Sequence, residues 1–85
     1  MALQILYFAW VREKIGRGEE TIVPPDHVAT VRDLIVSLTQ RGGGYAEALG
    51  DVAKLRAAID QQFVPLDAPI GGAREVAIFP PVTGG

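Results

Sequence analysis

Six residues at the end of the sequence have the types and spacing to do chemistry: Pro80, Pro81, Val82, Thr83, Gly84 and Gly85. The two prolines hold the backbone extended and remove two amide donors, so this stretch is predicted to leave the sheet. The two glycines have no Cβ, which predicts a thin, flexible thread that fits a narrow channel. At about 3.3 Å per residue, the thread reaches about 20 Å. The predicted reacting group is the Gly85 carboxylate, and a frayed end without function is the alternative.

Other residue types that often carry chemistry are rare or badly placed in this sequence. His27 is the single histidine, and no serine, cysteine or metal-ligand pattern surrounds it, which favours a surface loop. The glycines at 42–44 follow a predicted helix and lack the Gly-Lys-Ser/Thr ending of a phosphate-binding loop. With no cysteine in the sequence, disulfides and thiolate chemistry are excluded. The sequence therefore predicts no bound cofactor and no metal site.

The composition indicates one small globular domain. The 85 residues are 48% hydrophobic and 21% charged, which is typical of a folded chain. The net charge is −2 and no basic block occurs, so neither nucleic acid nor an anionic membrane is an expected partner. No apolar run approaches the roughly 18 residues of a membrane span, and no leader pattern precedes the first predicted strand. A cytoplasmic location is expected.

A nearly continuous apolar run predicts a first strand from Ala2 to Val11. Alternation along a strand places Leu6, Phe8 and Trp10 on one face, opposite the residues that face the core. A small one-layer sheet cannot bury both faces, so this second face is predicted to be an exposed binding patch. The alternative is that a loop or the chain end covers it.

The next segments predict a hairpin and then a helix. A polar turn over 12–18 leads to a short strand from Glu19 to Val23, which Pro24-Pro25 ends. Thr30 is the predicted N-cap of the helix, and Asp33, three residues on, is its predicted partner in a capping box. Spacings of i, i+3, i+4 and i+7 give the helix one apolar stripe, formed by Val31, Leu34, Ile35 and Leu38. Arg41 is expected in its last turn and Gly42-Gly43-Gly44 just after its end.

The second half of the sequence predicts short elements. Residues 45–49 predict one helical turn, and residues 54–60 are ambiguous, with a strand favoured over 57–60. A turn at Gln61-Gln62 is expected to lead to Phe63-Val64, and Glu75 to Phe79 predicts the last strand. On that strand Val76 and Ile78 share one face.

The order of hairpin, crossing helix and returning strands predicts an α+β, β-grasp (ubiquitin-like) fold. Its first and last strands are expected to lie side by side, central and parallel, beneath one main helix. The predicted division is a domain over 1–79 and an extended, flexible Gly-Gly tail over 80–85. Phe8 and Phe79 are then expected to be neighbours on the uncovered face.

Several segments resemble the small, sulfur-carrying subunits of molybdopterin synthases, over essentially the whole chain. The specific match is the block from Glu75 to Gly85, Glu-Val-Ala-Ile-Phe-Pro-Pro-Val-Thr-Gly-Gly. Weaker matches are Leu-Tyr-Phe-Ala at 6–9, Val-Arg-Glu at 11–13, Thr-Val at 30–31 with Leu34, and Ala-Ala-Ile-Asp-Gln at 57–61. The sequence departs from the family pattern at Asp60, where asparagine is usual, and at Ala73 and Arg74, where Gly-Asp is usual.

The resemblance implies a function for the tail. An ATP-dependent partner related to ubiquitin-activating enzymes would adenylate Gly85, and sulfur would then replace one oxygen to give a thiocarboxylate. The tail would enter the large synthase subunit, in a heterotetramer, and donate sulfur to a cyclic pyranopterin precursor of the molybdenum cofactor. Catalytic residues are expected in the large subunit, because this chain supplies no acid, base or metal.

The predicted strands place a partner surface near the root of the tail. The expected anchors are Phe8, Phe63 and Phe79, with Leu6 and Trp10 beside them. Arg12 is a candidate contact at the rim, or else a solvated charge in a turn. Alternatives for the whole protein are a sulfur carrier of another pathway, such as that of thiamine, a ubiquitin-like modifier conjugated to lysines, and an inert binding module.

Overall fold

The computed structural model describes residues 2–81, which form a mixed five-stranded sheet and three α-helices. The strands are β1 Leu3–Tyr7, β2 Glu19–Ile22, β3 Arg56–Ile59, β4 Gln62–Val64 and β5 Glu75–Phe79. The helices are α1 Ala9–Ile15, α2 Val31–Thr39 and α3 Gly43–Leu49, and a 3-10 turn spans Val52–Lys54. Within this part of the chain no helix is long and apolar enough to cross a membrane.

The strand order in the sheet is β2-β1-β5-β3-β4, which confirms the predicted β-grasp arrangement. The central strands β1 and β5 are parallel, while β1–β2, β3–β5 and β3–β4 are antiparallel. A backbone hydrogen bond from Phe8 N–H to Ile78 C=O continues the central pairing past the end of β1. The last strand therefore runs down the middle of the sheet and delivers Pro80 beside the end of the first strand.

Helix α2 closes one face of the sheet with the apolar stripe that the sequence predicts. Its buried residues are Val31, Leu34, Ile35 and Leu38. Thr30 Oγ1 accepts a hydrogen bond from Asp33 N–H, and Asp33 Oδ2 accepts one from Thr30 N–H, so both ends of the predicted capping box are present. Hydrogen bonds from the backbone N–H groups of Ala29 and Thr30 to its side chain hold the pKa of the Asp33 carboxyl below its usual range. Local spacing alone thus specifies this helix and its orientation on the core.

The predicted first strand is too long, because its second half is helix α1. The strand ends at Tyr7, and Phe8 is the N-cap of a helix whose C-cap, Gly16, has a φ of 90°. Val11 is buried on the core side of this helix, and the predicted turn over 12–18 is largely helical. Alternation therefore cannot place Trp10 beside Leu6 and Phe8, and that part of the predicted patch is wrong.

The three glycines after α2 open helix α3 instead of forming a loop. Helix α2 ends at Thr39, so Arg41 lies beyond its last turn, contrary to prediction. Gly42 is the N-cap of α3, and Gly44 lies in its first turn. A Cβ at Gly44 would stand 2.0 Å from the backbone oxygen of Lys14. Glycine is required here because α3 packs directly on the backbone at the end of α1.

Substitution of Gly44 is expected to destabilise the fold. In Gly44→Ala the new methyl group must push α3 away from α1, at a cost of about 1–3 kcal/mol in the free energy of unfolding. The measurement is urea denaturation followed by circular dichroism. Gly71→Ala is the control, because a Cβ at Gly71 meets no atom within 4 Å. Equal stability of the two variants would contradict the close packing of α3 on α1.

A buried carboxylate joins β2 to the rest of the domain. The Glu20 side chain is 8% exposed and accepts hydrogen bonds from the hydroxyls of Tyr7 and Tyr45, each at 2.7 Å. The Arg41 guanidinium lies 2.8 Å from Glu20 Oε1 and 5.0 Å from the centre of the Tyr45 ring. Burial opposes ionisation of Glu20, but these donors outweigh it and lower the pKa of its carboxyl. Burial, followed by the bond to Glu20, raises the pKa of Tyr7.

Glu20→Gln is expected to lower the free energy of unfolding by about 1.5–3 kcal/mol at pH 7, the range for hydrogen bonds to a charged group. Because the folded pKa is depressed, the stabilisation is present above the unfolded value of about 4.3 and is lost as pH falls through the folded pKa. The difference between wild type and variant should therefore shrink in acid. Urea denaturation at several pH values measures it, and Glu13→Gln, an exposed change, is the control. A pH-independent difference would contradict a charge effect.

Candidate partner-binding groove

The face of the sheet opposite α2 carries an apolar groove. Strand register aligns one residue from each of four strands across it, in the order Leu6, Ala77, Ala58 and Phe63. The two alanines are small and lie between bulky neighbours, which leaves a hollow of about 620 Å³. The two alanines are buried, whereas the side chains on either side rise above them. The groove therefore follows directly from two small residues that lie between two large ones across one sheet face.

Three phenylalanines line this groove. Phe8, Phe63 and Phe79 all border it, and the rings of Phe63 and Phe79 are 5.6 Å apart between centroids. Phe63 is 80% exposed and Phe8 is 47% exposed, which is unusual for large apolar side chains. Pro80 and Pro81 line the same groove. The structure thus brings together the predicted aromatic anchors and the first two residues of the predicted tail.

Two other residues of the predicted surface lie elsewhere. Trp10 is half-buried against the core and lines a separate hollow with Lys14 and Lys54. Arg12 is exposed on α1, with its guanidinium against the backbone of Gly18. Neither residue is among the described residues that line the groove. Both positions follow from helix α1, which turns away from the sheet after Phe8.

Strained backbone borders the groove. Among residues 2–81, the non-glycine residues with left-handed φ are Ala9 at 54°, Asp60 at 48° and Gln61 at 72°. Ala9 and Gln61 line the groove, and Asp60 directly precedes Gln61. Such conformations cost about 1–3 kcal/mol each and cluster at functional sites. Left-handed backbone therefore occurs at two of the residues that line the groove, Ala9 and Gln61.

One end of the groove is polar, which the sequence reasoning did not identify. Glu75 and Gln61 line it there, about 13 Å along β5 from Phe79 at 3.3 Å per residue. Asp60 fixes this end, because its Oδ1 accepts hydrogen bonds at 3.0 Å from the N–H groups of Arg74 and Glu75. Alternation along the last strand does put Glu75, Ala77 and Phe79 on one face, so the strand pattern contained a signal for Glu75.

The predicted turn of the β3–β4 hairpin is displaced by one residue. Asp60 and Gln61 form it, instead of Gln61 and Gln62, and both have the positive φ of a two-residue type I′ turn. The Asp60 N–H also donates to the Glu75 carbonyl. Asp60, which departs from the pattern of sulfur-carrying subunits, therefore still acts as an acceptor for two backbone amides. Val82, Thr83, Gly84 and Gly85 lie outside the described residues.

Comparison with known proteins identifies the family. Residues 5–85 match the ThiS family. The chain belongs to the ThiS family. It is 41% identical over 83 residues to the molybdopterin synthase sulfur carrier subunit of Haemophilus influenzae, an alignment that covers 98% of this chain and 99% of the relative. It is 42% identical to the subunit of the same name from Escherichia coli, over 83 residues and with the same coverage.

The fold of this ThiS family member also occurs in a chain of the complex of subunits 1 and 2 of molybdopterin-converting factor from Helicobacter pylori. The TM-score is 0.64 and the identity 22%, and the alignment covers all of both chains. The predicted resemblance to sulfur-carrying subunits and the β-grasp class are thereby confirmed. The roles of individual ThiS-family residues in the groove and tail stay predictions.

Proposed function

We propose that this chain is the sulfur-carrier subunit of a molybdopterin synthase. The observation that carries the proposal is the identity of 41% and 42%, over nearly the full length, to two subunits with that name. The terminal sequence Phe-Pro-Pro-Val-Thr-Gly-Gly at 79–85 supports it, because this ending suits a thread that delivers its own carboxylate. In this proposal the protein acts in the cytoplasm, as the donor subunit and without catalytic residues of its own.

The chemistry requires activation of Gly85. A carboxylate is a poor electrophile, so an ATP-dependent adenylating enzyme, related to ubiquitin-activating enzymes, first converts it to an acyl-adenylate with release of pyrophosphate. A donor of sulfide-level sulfur then displaces AMP to leave a thiocarboxylate. Its anionic sulfur forms a carbon–sulfur bond to the pyranopterin precursor as a carbon–oxygen bond of the precursor breaks, and water cleaves the resulting acyl–sulfur bond to regenerate the Gly85 carboxylate. Gly84 and Gly85 let both active sites close tightly around the reacting end.

The groove is the proposed docking surface for the large synthase subunit. Exposed aromatic side chains of this kind are typical interface anchors. The groove contains the start of the tail, so a protein docked on Phe63 and Phe79 is well placed to receive the residues that follow Pro81. The proposed assembly is a heterotetramer with one carrier at each end of a dimer of large subunits.

Reconstitution tests the proposal. The protein is incubated with the adenylating enzyme, ATP and a sulfur donor, and its intact mass is expected to rise by one sulfur in place of one oxygen. The thiolated protein is then mixed with a molybdopterin synthase large subunit and the cyclic pyranopterin precursor, and dithiolene product is expected. A reaction without ATP is the control. Formation of thiolated protein that yields no dithiolene would overturn the proposal, and a ladder of lysine adducts would favour a protein modifier instead.

A further inference from the structure

We propose that Glu75 and Gln61 form an orienting contact for a basic side chain on the docking partner. This inference rests on the proposed function, because it concerns the surface that the large synthase subunit would occupy. It goes beyond apolar anchoring, since it assigns a direction and a charge to the groove. One end is aromatic and proline-rich at Phe79, Pro80 and Pro81, and the other end is polar.

Glu75 is the charged residue among those that line the groove. Glu75 is half-buried at the start of β5, and within residues 2–81 no hydrogen bond or ion pair engages its carboxylate. An apolar partner surface laid over it would strip water from a carboxylate without a counter-charge, which is costly. A partner that fills the groove must therefore supply a cation at this end.

The neighbouring charges leave this corner acidic. Glu75 also lines a polar hollow with Asp60 and Arg74, so two carboxylates and one guanidinium give one net negative charge. The Asp60 N–H donates to the Glu75 carbonyl, and its Oδ1 accepts from the N–H groups of Arg74 and Glu75. Asp60 is not among the described residues that line the groove, so the carboxylate there is that of Glu75, and Gln61 adds an amide at the same end. An arginine fits best, because its planar fork can donate to a carboxylate and an amide oxygen together.

The backbone at this corner is built to hold that geometry. Asp60 and Gln61 both have left-handed φ, at 48° and 72°, and the Asp60 side chain ties their turn to the first residues of β5. Glutamine is not a residue that commonly adopts this conformation. The turn therefore holds Gln61 at the same end of the groove as Glu75 before a partner arrives, which makes Asp60 a positioning residue for the contact.

The test measures affinity for a molybdopterin synthase large subunit by isothermal titration calorimetry at several salt concentrations. Glu75→Gln is expected to raise the Kd about tenfold and to flatten its dependence on salt, as loss of a charge pair at an interface does. Glu47→Gln on α3 is the matched control, with the same change of charge away from the groove, and should leave both quantities unchanged. Neither variant should alter the unfolding midpoint, because the Glu75 carboxylate makes no bond within residues 2–81.

Substitutions of Asp60 provide a second test of the same contact. Asp60→Ala removes the acceptor of two backbone amides and should weaken binding, whereas Asp60→Asn keeps an oxygen there and should restore the affinity. Wild-type affinity and salt dependence in Glu75→Gln would overturn the inference and leave the proposed function standing, provided that the wild type binds and delivers sulfur. Failure of the wild type to bind the large subunit at all would overturn both.

Discussion

Replacement of both terminal glycines by alanine is expected to reduce sulfur delivery about 100-fold or more. Methyl groups at Gly84 and Gly85 would displace the reacting carbon in sites that close tightly on a bare backbone, and a displacement of about 1 Å costs about this factor. Deletion of the two residues should abolish sulfur delivery, because it removes the Gly85 carboxylate that would accept the sulfur. It also shortens the reach of the tail by about 7 Å. Single-turnover formation of dithiolene from thiolated protein measures the effect.

The affinity for the large subunit separates this effect from misfolding or failed docking. Both tail variants keep the groove and the sheet intact, so their affinity should fall far less than their rate of sulfur transfer. Thr83→Ala is the companion control, because it changes the tail without adding atoms near the reacting carbon. Delivery at the wild-type rate by the double alanine variant would show that the terminus is not the carrier.

Phe63→Ala is expected to weaken binding of the large subunit by about 2–4 kcal/mol, or about 30- to 1000-fold in Kd. Phe63 is 80% exposed in the free protein, with its ring tilted at 46° to that of Phe79, so a partner can bury most of the Phe63 ring. The same exposure means that truncation removes little from the folded monomer, and its stability should stay within about 0.5 kcal/mol of wild type. Calorimetric titration together with urea denaturation measures both.

Val36→Ala provides the matched control for Phe63. Val36 is a large apolar residue that is 49% exposed on α2, away from the groove-lining residues. Its truncation should leave the affinity unchanged. Equal effects of the two substitutions would show that the groove is not the docking surface.

The sequence specifies the elements whose apolar pattern is local and unambiguous. Helix α2 follows from Thr30 and the stripe that starts at Val31, and β5 follows from the alternation of Val76 and Ile78. Helix α1 is not predicted from its apolar pattern, because its apolar residues continue directly from those of β1. The change from strand spacing to helix spacing at Phe8 is therefore not visible in the sequence. Val11 and Ile15 at i and i+4, followed by Gly16, are the helix signals that this apolar run obscures.

Contacts between distant segments cannot be predicted in this way. Glu20 meets Tyr7 and Tyr45, which are 13 and 25 residues away along the chain, so no spacing rule identifies the cluster. The groove can be predicted from the sequence only in part. Its aromatic anchors follow from the exposed face of the strands, but its hollow depends on the register that sets Ala58 opposite Ala77. The polar corner depends further on the bonds that Asp60 makes to the start of β5.

The central position of β5 also determines how the domain responds to mechanical load. This strand is hydrogen-bonded along both edges, to β1 in parallel and to β3 in antiparallel orientation. Force applied to Pro80 along the strand axis acts on both rows of bonds in shear, so they share the tension instead of opening one after another. A partner that draws the tail into a deep channel can therefore pull on β5 without unfolding the domain, and the same holds over repeated cycles of binding and release.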